Sequence, residues 1–372
     1  MSPIRIGIVG AGHLGRIHAK LIQNVNRAKL ALIAEPQPLV QQQMLDQHDC
    51  HVISDYRKMI GKVDAVIIAT PTVTHHDVAK FFLEEGVHVL IEKPLTHCVD
   101  QARELVELAE RTGAKVQVGH VERYNPAVKK AMEFVGEAKF IEASRCSGYT
   151  FRSTDIGVVH DLMIHDVELV NWIFGSKLIE SRSVGISVFG ANEDIARSWM
   201  HFECGGVANL TASRCSFSAE RTMKIFGTEG FASIDLATST LQAIRIPSWI
   251  RQREFDFQNC TAEQAEFVKS NLFEQVLPVE VVSVDPVNAI QMEQEDWVEA
   301  IVDDRQPTVC AETGYRAVAV AQRVLDQIAM HSWAQADRSM TGPQAVPPIN
   351  NSQQLDPLPS ALIKTDDQRK AA

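Results

Sequence analysis

Three clusters of residues in this 372-residue chain carry side chains suited to chemistry. The first is Glu92-Lys93-Pro94. A lysine held there can hydrogen-bond a substrate hydroxyl and stabilise the charge that develops on its oxygen as the proton leaves. The plain alternative is a surface lysine after a strand. The second cluster is His160-Asp161-Leu162-Met163-Ile164-His165-Asp166. Asp161 and His165 are four apart and share one face of a helix. His165 suits a general base, its ordinary pKa lying near working pH, and Asp161 can orient it or bind substrate. A helix-start aspartate and a core histidine are the competing structural reading. No metal is expected, because H-D-x-x-x-H-D is not H-E-x-x-H and no cysteine or second histidine pair completes a site. The third cluster is Gly119-His120-Val121-Glu122-Arg123-Tyr124-Asn125-Pro126. Arg123 can pair with a phosphate or carboxylate, and Tyr124 and Asn125 can line a cleft. An interdomain salt bridge explains the arginine equally well.

A cofactor site is legible at the front of the chain. Ile4 to Val9 reads as an apolar strand, followed by Gly10-Ala11-Gly12-His13-Leu14-Gly15 and then a helix. This is G-x-G-x-x-G. Gly10 permits the tight turn, Gly12 lets backbone approach a pyrophosphate, and Gly15 lets the helix pack closely on its strand. The helix start, with His13 and Leu14, offers unpaired N–H groups to phosphates. The next apolar run, Lys29 to Ala34, ends in Glu35, at the spacing of the acid that binds the adenosine ribose. Its carboxylate repels a 2′-phosphate, and Pro36-Gln37-Pro38 supplies no arginine to receive one. That favours NAD over NADP; the alternative is a solvated glutamate at a strand end.

The elements that must position these groups follow from periodicity. Buried strands Asp64–Thr70, Val87–Ile91 and Lys115–Gly119 alternate with helices Thr74–Glu85 and Val99–Thr112. Such alternation means βαβ units and a parallel sheet with ligand at the carboxyl ends of its strands. Thr70-Pro71, Glu92-Lys93 and Gly119-His120 all fall at such ends. Residues 1–121 therefore read as a doubly wound Rossmann domain. From 122 the pattern becomes successive strands joined by short turns, with helices Pro126–Val135, Asp161–Trp172, Ala262–Val276, Ala289–Val302 and Glu312–His331. This reads as an α+β substrate and oligomerisation domain, 122–332, with a mostly antiparallel sheet. Its last helix is free to pack back on the first domain. Residues 333–372, rich in Pro, Gln, Ser and Asp, read as a disordered tail.

Composition narrows the partners. The chain is 45% apolar and 22% charged with a net charge of −11, and it has no basic block for nucleic acid. Its seven cysteines are dispersed without C-x-x-C spacing, which suggests free thiols in a reducing cytoplasm. Arg5 inside the opening strand argues against a leader, and no apolar run approaches the ~20 residues of a membrane span.

Together these motifs resemble the Gfo/Idh/MocA family of NAD(P)-dependent oxidoreductases, over residues 4 to about 330. The resemblance implies that Gly10, Gly12, Gly15 and Glu35 hold the cofactor and that Lys93 of Glu92-Lys93-Pro94 is catalytic. The peptide before such a proline is often cis, which would shape the floor of the site. The family's A-T-P-x-x-x-H segment looks like Ala69 to His75, which adds Thr70, Pro71 and His75, although Thr72 stands where asparagine is common. Its D-x-G-x-H pattern matches Asp161 and His165, with Met163 in place of glycine. The phrases D-L-M-I-H-D and G-H-V-E-R-Y-N-P-A look closest to a branch that oxidises the 3-hydroxyl of UDP-N-acetylglucosamine. The resemblance thus implies NAD, a sugar or nucleotide-sugar substrate with Arg123 toward its diphosphate, and a homodimer or homotetramer. Alternatives are a dehydrogenase of free sugars or inositol, and a silent NAD-sensing protein.

Overall fold

Glycine and proline punctuate the first third of the chain at intervals that leave strands of only three to seven residues, all apolar at their centres. The computed structural model describes residues 2–151, 155–285, 287–333 and 342–343; the expected disordered tail lies, but for Trp333, Gly342 and Pro343, outside the described residues. The first elements are β1 (Ile4–Val9), α1 (His13–Leu21), β2 (Ala28–Ala34), α2 (Pro38–Gln47) and β3 (His51–Ile53). Then come β4 (Ala65–Ile68), α3 (His75–Glu84), β5 (His88–Glu92), α4 (Val99–Thr112) and β6 (Val116–Gly119). All six strands pair in parallel, in the order β3-β2-β1-β4-β5-β6. The order reverses between β1 and β4, which opens a crevice at their carboxyl ends. Strands buried on both faces need continuous apolar runs, and Ala65 to Ile68 is wholly buried.

The second layer system comprises α5 (Pro126–Val135), β7 (Ala138–Cys146), α6 (Ile164–Phe174), β8 (Leu178–Ile186), β9 (Ile195–Phe202) and β10 (Val207–Ser213). It continues through β11 (Glu220–Gly227), β12 (Gly230–Asp235), β13 (Thr240–Arg245), α7 (Ser248–Arg251), α8 (Ala262–Ser270) and β14 (Val279–Val282). Eight strands run in the order β14-β13-β12-β11-β7-β10-β9-β8. The sheet is antiparallel except where β7 meets β10 in parallel. The reason is the long excursion through α6, β8 and β9, which returns the chain beside β7 in the same direction. β14 is an added edge strand that the sequence reading does not contain, and the helix expected over 262–276 ends at Ser270 in a π-turn, Leu272–Val276.

Alternate residues of this sheet are buried against α5, α6 and the last helix, α10 (Ala311–Met330), which follows α9 (Ala289–Val302). α10 lies on α4, and Gly314 comes so close to Leu95 and Val118 that a Cβ there would sit 2.6 Å from Val118 Cγ2. α9 reaches further. Its Trp297, 0% exposed, belongs to the core formed by Ile6, Ile8, Ile22, Ile33 and Leu90. Gln294 Nε2 lies 2.8 Å from His18 Nδ1, and Gln117 Nε2 donates to Glu293 O at 2.6 Å. The two sheets are therefore joined through a shared interior.

Candidate active site

The glycine turn takes up the geometry its spacing demands. Gly10 has φ +91°, a left-handed conformation that L side chains avoid. A Cβ on Gly15 would lie 1.9 Å from Gly10 O, so only glycine lets α1 close on β1. A Cβ on Gly12 would meet nothing within 4 Å: the backbone faces an open cradle at the start of α1. Glu35 stands at the end of β2, 7% exposed, where Oε2 accepts from Ala11 N at 2.9 Å and Oε1 from Gln37 N at 3.0 Å. It thereby ties the turn to the second strand, with its carboxylate at the ribose end of the cradle. These residues fit a dinucleotide.

Next to the cradle, a cavity of about 240 Å³ is lined by Leu14, Thr70, Pro71, His75, Glu92, Lys93, Asp155, Ile156 and Asp161, among others. His13 is exposed at the first position of α1. Thr70 and Pro71 leave β4 at its carboxyl end, and Thr70 Oγ1 accepts from Thr74 at 2.8 Å. His75, 1% exposed, brackets two strand exits: Nδ1 lies 2.9 Å from Pro94 O and Nε2 2.9 Å from Thr70 O. Burial pushes its pKa below the ordinary histidine value. The Lys93–Pro94 peptide is cis. Glu92 lines the cavity floor but turns its carboxylate inward, with Oε1 2.8 Å from His18 Nε2. Burial opposes the charge on Glu92; the bond to His18, together with the charges of His18, Lys93 and His75, outweighs it and holds the carboxyl below its usual pKa.

Lys93 Nζ donates to Asp161 Oδ1 at 3.0 Å and to Asp161 O at 2.7 Å. Asp161 lies within a π-turn, Val159–Met163, that precedes α6. This wide turn is a frequent device at functional sites, and here it aims both a carbonyl and a carboxylate at the lysine. Asp161 is thus the partner of Lys93 rather than the orienter of His165. His165 follows one turn later. Its pKa falls well below the ordinary value, first through burial and then through the fields of Lys93, Arg145, His120 and Arg221. Its Nδ1 is sealed without a partner, whereas Nε2 is not sealed. Two further imidazoles, which the sequence reading did not assign, lie within the field of Lys93. His120, 1% exposed, sets its ring edge-on to His165 with centroids 6.4 Å apart. Burial and Lys93 lower its pKa to about 3, and burial and His97 lower that of His160 to about 4. Their common signal was position: a strand end for His120, and the start of the π-turn for His160. Lys93 therefore faces neutral imidazoles, which do not repel it.

The third cluster is corrected by the structure. Arg123 does not face the cavity; it donates to Glu168 Oε1 at 2.5 Å and stacks its guanidinium 4.5 Å from the Trp172 ring. Burial nonetheless raises the Glu168 pKa to about 7. Tyr124 donates its hydroxyl to Asp296 at 2.8 Å, and Asn125 caps α5 by accepting from Ala127 N at 3.0 Å. All three side chains are spent on the interior, where an unpaired polar group is costly. Behind them Arg145, 3% exposed, forks between Asp166 (2.8 and 3.2 Å) and Glu122 (2.9 Å). Among the described residues there is no cluster of His, Cys, Asp or Glu arranged to hold a metal, and no helix long and apolar enough to cross a membrane. The seven cysteines are free.

A cradle at the switch point of a parallel sheet, a lysine at the neighbouring strand end and a second sheet behind it define a two-domain dinucleotide oxidoreductase. The family models agree: "Oxidoreductase family, NAD-binding Rossmann fold" matches residues 4–120, and "GFO/IDH/MocA C-terminal domain" matches 132–233. The chain belongs to the Gfo/Idh/MocA oxidoreductase family. It is similar to UDP-N-acetylglucosamine 3-dehydrogenase of Acidithiobacillus ferrooxidans, 35% identical over 242 residues, 65% of this chain and 77% of that one. A solved structure of that enzyme superposes with a TM-score of 0.76 at 30% identity, covering 88% of this chain and 98% of the other. A scyllo-inositol 2-dehydrogenase (NAD(+)) of Bacillus subtilis is 28% identical over 66% of this chain and 77% of its own.

Proposed function

We propose that the protein oxidises a sugar hydroxyl to a ketone with NAD, and that the substrate is UDP-N-acetylglucosamine, at its 3-hydroxyl, or a related nucleotide sugar. The observation that carries the reaction is the Lys93–Asp161 pair in the cavity next to the cradle, whose lysine charge reaches the neutral His165. The nucleotide sugar rests on the likeness to the Acidithiobacillus enzyme, which spans almost all of that chain.

Bound NAD supplies a hydride acceptor. The chain's own groups do the rest. Gly10, Gly12 and the start of α1 receive the pyrophosphate, and Glu35 receives the ribose hydroxyls and repels a 2′-phosphate, which favours NAD over NADP. Lys93 donates a hydrogen bond to the reacting oxygen while Asp161 fixes its ammonium. His165 accepts the hydroxyl proton at Nε2, the ring nitrogen that is not sealed. Its lowered pKa keeps the imidazole unprotonated and ready at neutral pH. The open face of the second sheet, with Glu142, Arg182, Arg197, Trp199 and Lys224, is where a second copy of the chain would sit.

The test is absorbance of the reduced nicotinamide with UDP-N-acetylglucosamine as substrate. Lys93→Ala and His165→Ala should each lower kcat by about 10²–10⁴-fold while nicotinamide fluorescence still reports NADH binding. Turnover only with free sugars or inositol would replace the substrate. Tight NAD binding without any turnover would indicate a sensor.

A further inference from the structure

With Arg123 spent in the interior, a nucleotide-sugar substrate lacks the cation first expected for its diphosphate. The need is acute, since the chain carries a net charge of −11 and repels anions at long range. The cations around the site are mostly engaged. Lys93 is held by Asp161, Arg145 by Asp166 and Glu122, and Arg214 by Asp194.

Arg221 is different. It lies second in β11 and sits directly opposite Arg145 of β7 in the antiparallel register. Directly opposed residues project from the same face of a sheet, and Arg145 is buried on the face that packs on α6. The inward parity runs on along β11 through the buried Met223 and Ile225. Arg221 thus extends from the inner face at the second residue of the strand and is itself exposed. Among the described residues its side chain makes no ion pair or hydrogen bond. This is also the end of the sheet from which β7 leads through Gly148 to Asp155 and Ile156, both in the wall of the catalytic cavity. The loop between β10 and β11 is tied there, since Ser216 N donates to Ser147 O at 3.0 Å. The positive charge of Arg221 is felt at both His165 and Asp166, as the smallest of several influences: it adds to the lowering of the His165 pKa and opposes the rise that burial imposes on Asp166.

We propose that Arg221 binds the diphosphate of a nucleotide-sugar substrate whose sugar reacts between Lys93 and His165. The assignment rests on the nucleotide-sugar reading above and adds the residue that selects such a substrate over a free sugar. A planar guanidinium with free N–H groups suits bidentate contact to phosphate oxygens. Because it acts on a remote part of the substrate, its contribution is to binding rather than to the chemical step.

The test uses the full chain with NAD. Arg221→Ala should raise KM for UDP-N-acetylglucosamine about 10–100-fold, the scale of a lost charge-assisted contact, with kcat within about threefold and NADH binding unchanged. UDP should bind the wild type by calorimetry and bind Arg221→Ala at least tenfold more weakly, while Arg221→Lys should recover part of the loss. If the wild type turns over UDP-N-acetylglucosamine and Arg221→Ala leaves both KM and UDP affinity within twofold, the assignment fails and the functional reading stands. A fall in kcat at unchanged KM overturns it equally. If the wild type binds neither UDP nor the UDP-sugar, the functional reading fails and this assignment falls with it.

Discussion

Replacing Arg145 by methionine should destabilise the protein in a pH-dependent way. The methionine keeps much of the stem but removes what is, among the described residues, the only positive charge bonded to Asp166, 1% exposed, and to Glu122, 9% exposed. Stripping one side of a buried ion pair costs about 3–5 kcal/mol, because the remaining charge is left dry and unmatched. On a chain of this size that lowers the thermal midpoint by roughly 4–6 °C. The sign with pH follows from Asp166. Burial already raises its folded-state pKa despite Arg145, which acts to lower it. Without Arg145 that pKa climbs further. A group with a raised folded pKa favours the folded state at low pH and loses that contribution as pH rises through it. The gap between variant and wild type should therefore be wide at pH 8 and narrow at pH 5, measured by circular dichroism against temperature and urea. Adding Asp166→Asn and Glu122→Gln to Arg145→Met should recover much of the loss at pH 8. An equal deficit at both pH values, or no recovery in the neutralised triple variant, would refute the electrostatic account and point to lost packing.

Two further outcomes follow from the site. With the His165 pKa lowered by burial and by Lys93, the acidic limb of the kcat/KM profile should fall below the ordinary histidine value of about 6.5; a limb at or above it would remove His165 as the base. Glu35→Ser should raise KM for NAD at least tenfold and admit NADP, since the carboxylate that braces Ala11 N and repels a 2′-phosphate is gone; unchanged cofactor preference in a coupled absorbance assay would place discrimination elsewhere.

How much of this was written locally explains what the sequence revealed. Gly10, Gly12 and Gly15 act within six residues, and the demand on Gly10 and Gly15 is steric while Gly12 faces the open cradle, so the motif and its structure coincide. Lys93 was legible because a strand end before proline has one place to go. Asp161 and His165 were legible as a pair on one helix, but the partner of Asp161 was not, since Lys93 is 68 positions away. The same distance effect hid the fates of Arg123 and Tyr124, whose partners lie 45 and 172 positions on. A buried arginine and a phosphate-binding arginine look alike until the carboxylate opposite is known. β14 escaped because Val279-Glu280-Val281-Val282 is a mostly exposed edge, with no clean alternation to read. The parallel pairing of β7 with β10 is a property of the crossover between them, which no short window contains.

The insertion of α9 into the first core has a consequence for biosynthesis. The strip made by Ile6, Ile8, Ile22, Ile33 and Leu90 is complete only when Trp297 and Val298 cover it. Those residues are made long after the sixth strand ends at Gly119. At about 5–20 residues per second, synthesis leaves that strip bare for roughly 10–35 s. A nascent chain that already holds every cofactor-binding glycine would thus still present a sticky apolar seam on the ribosome. Chaperone capture in that interval, and insolubility of fragments cut before α9, are built into the order in which the chain is made.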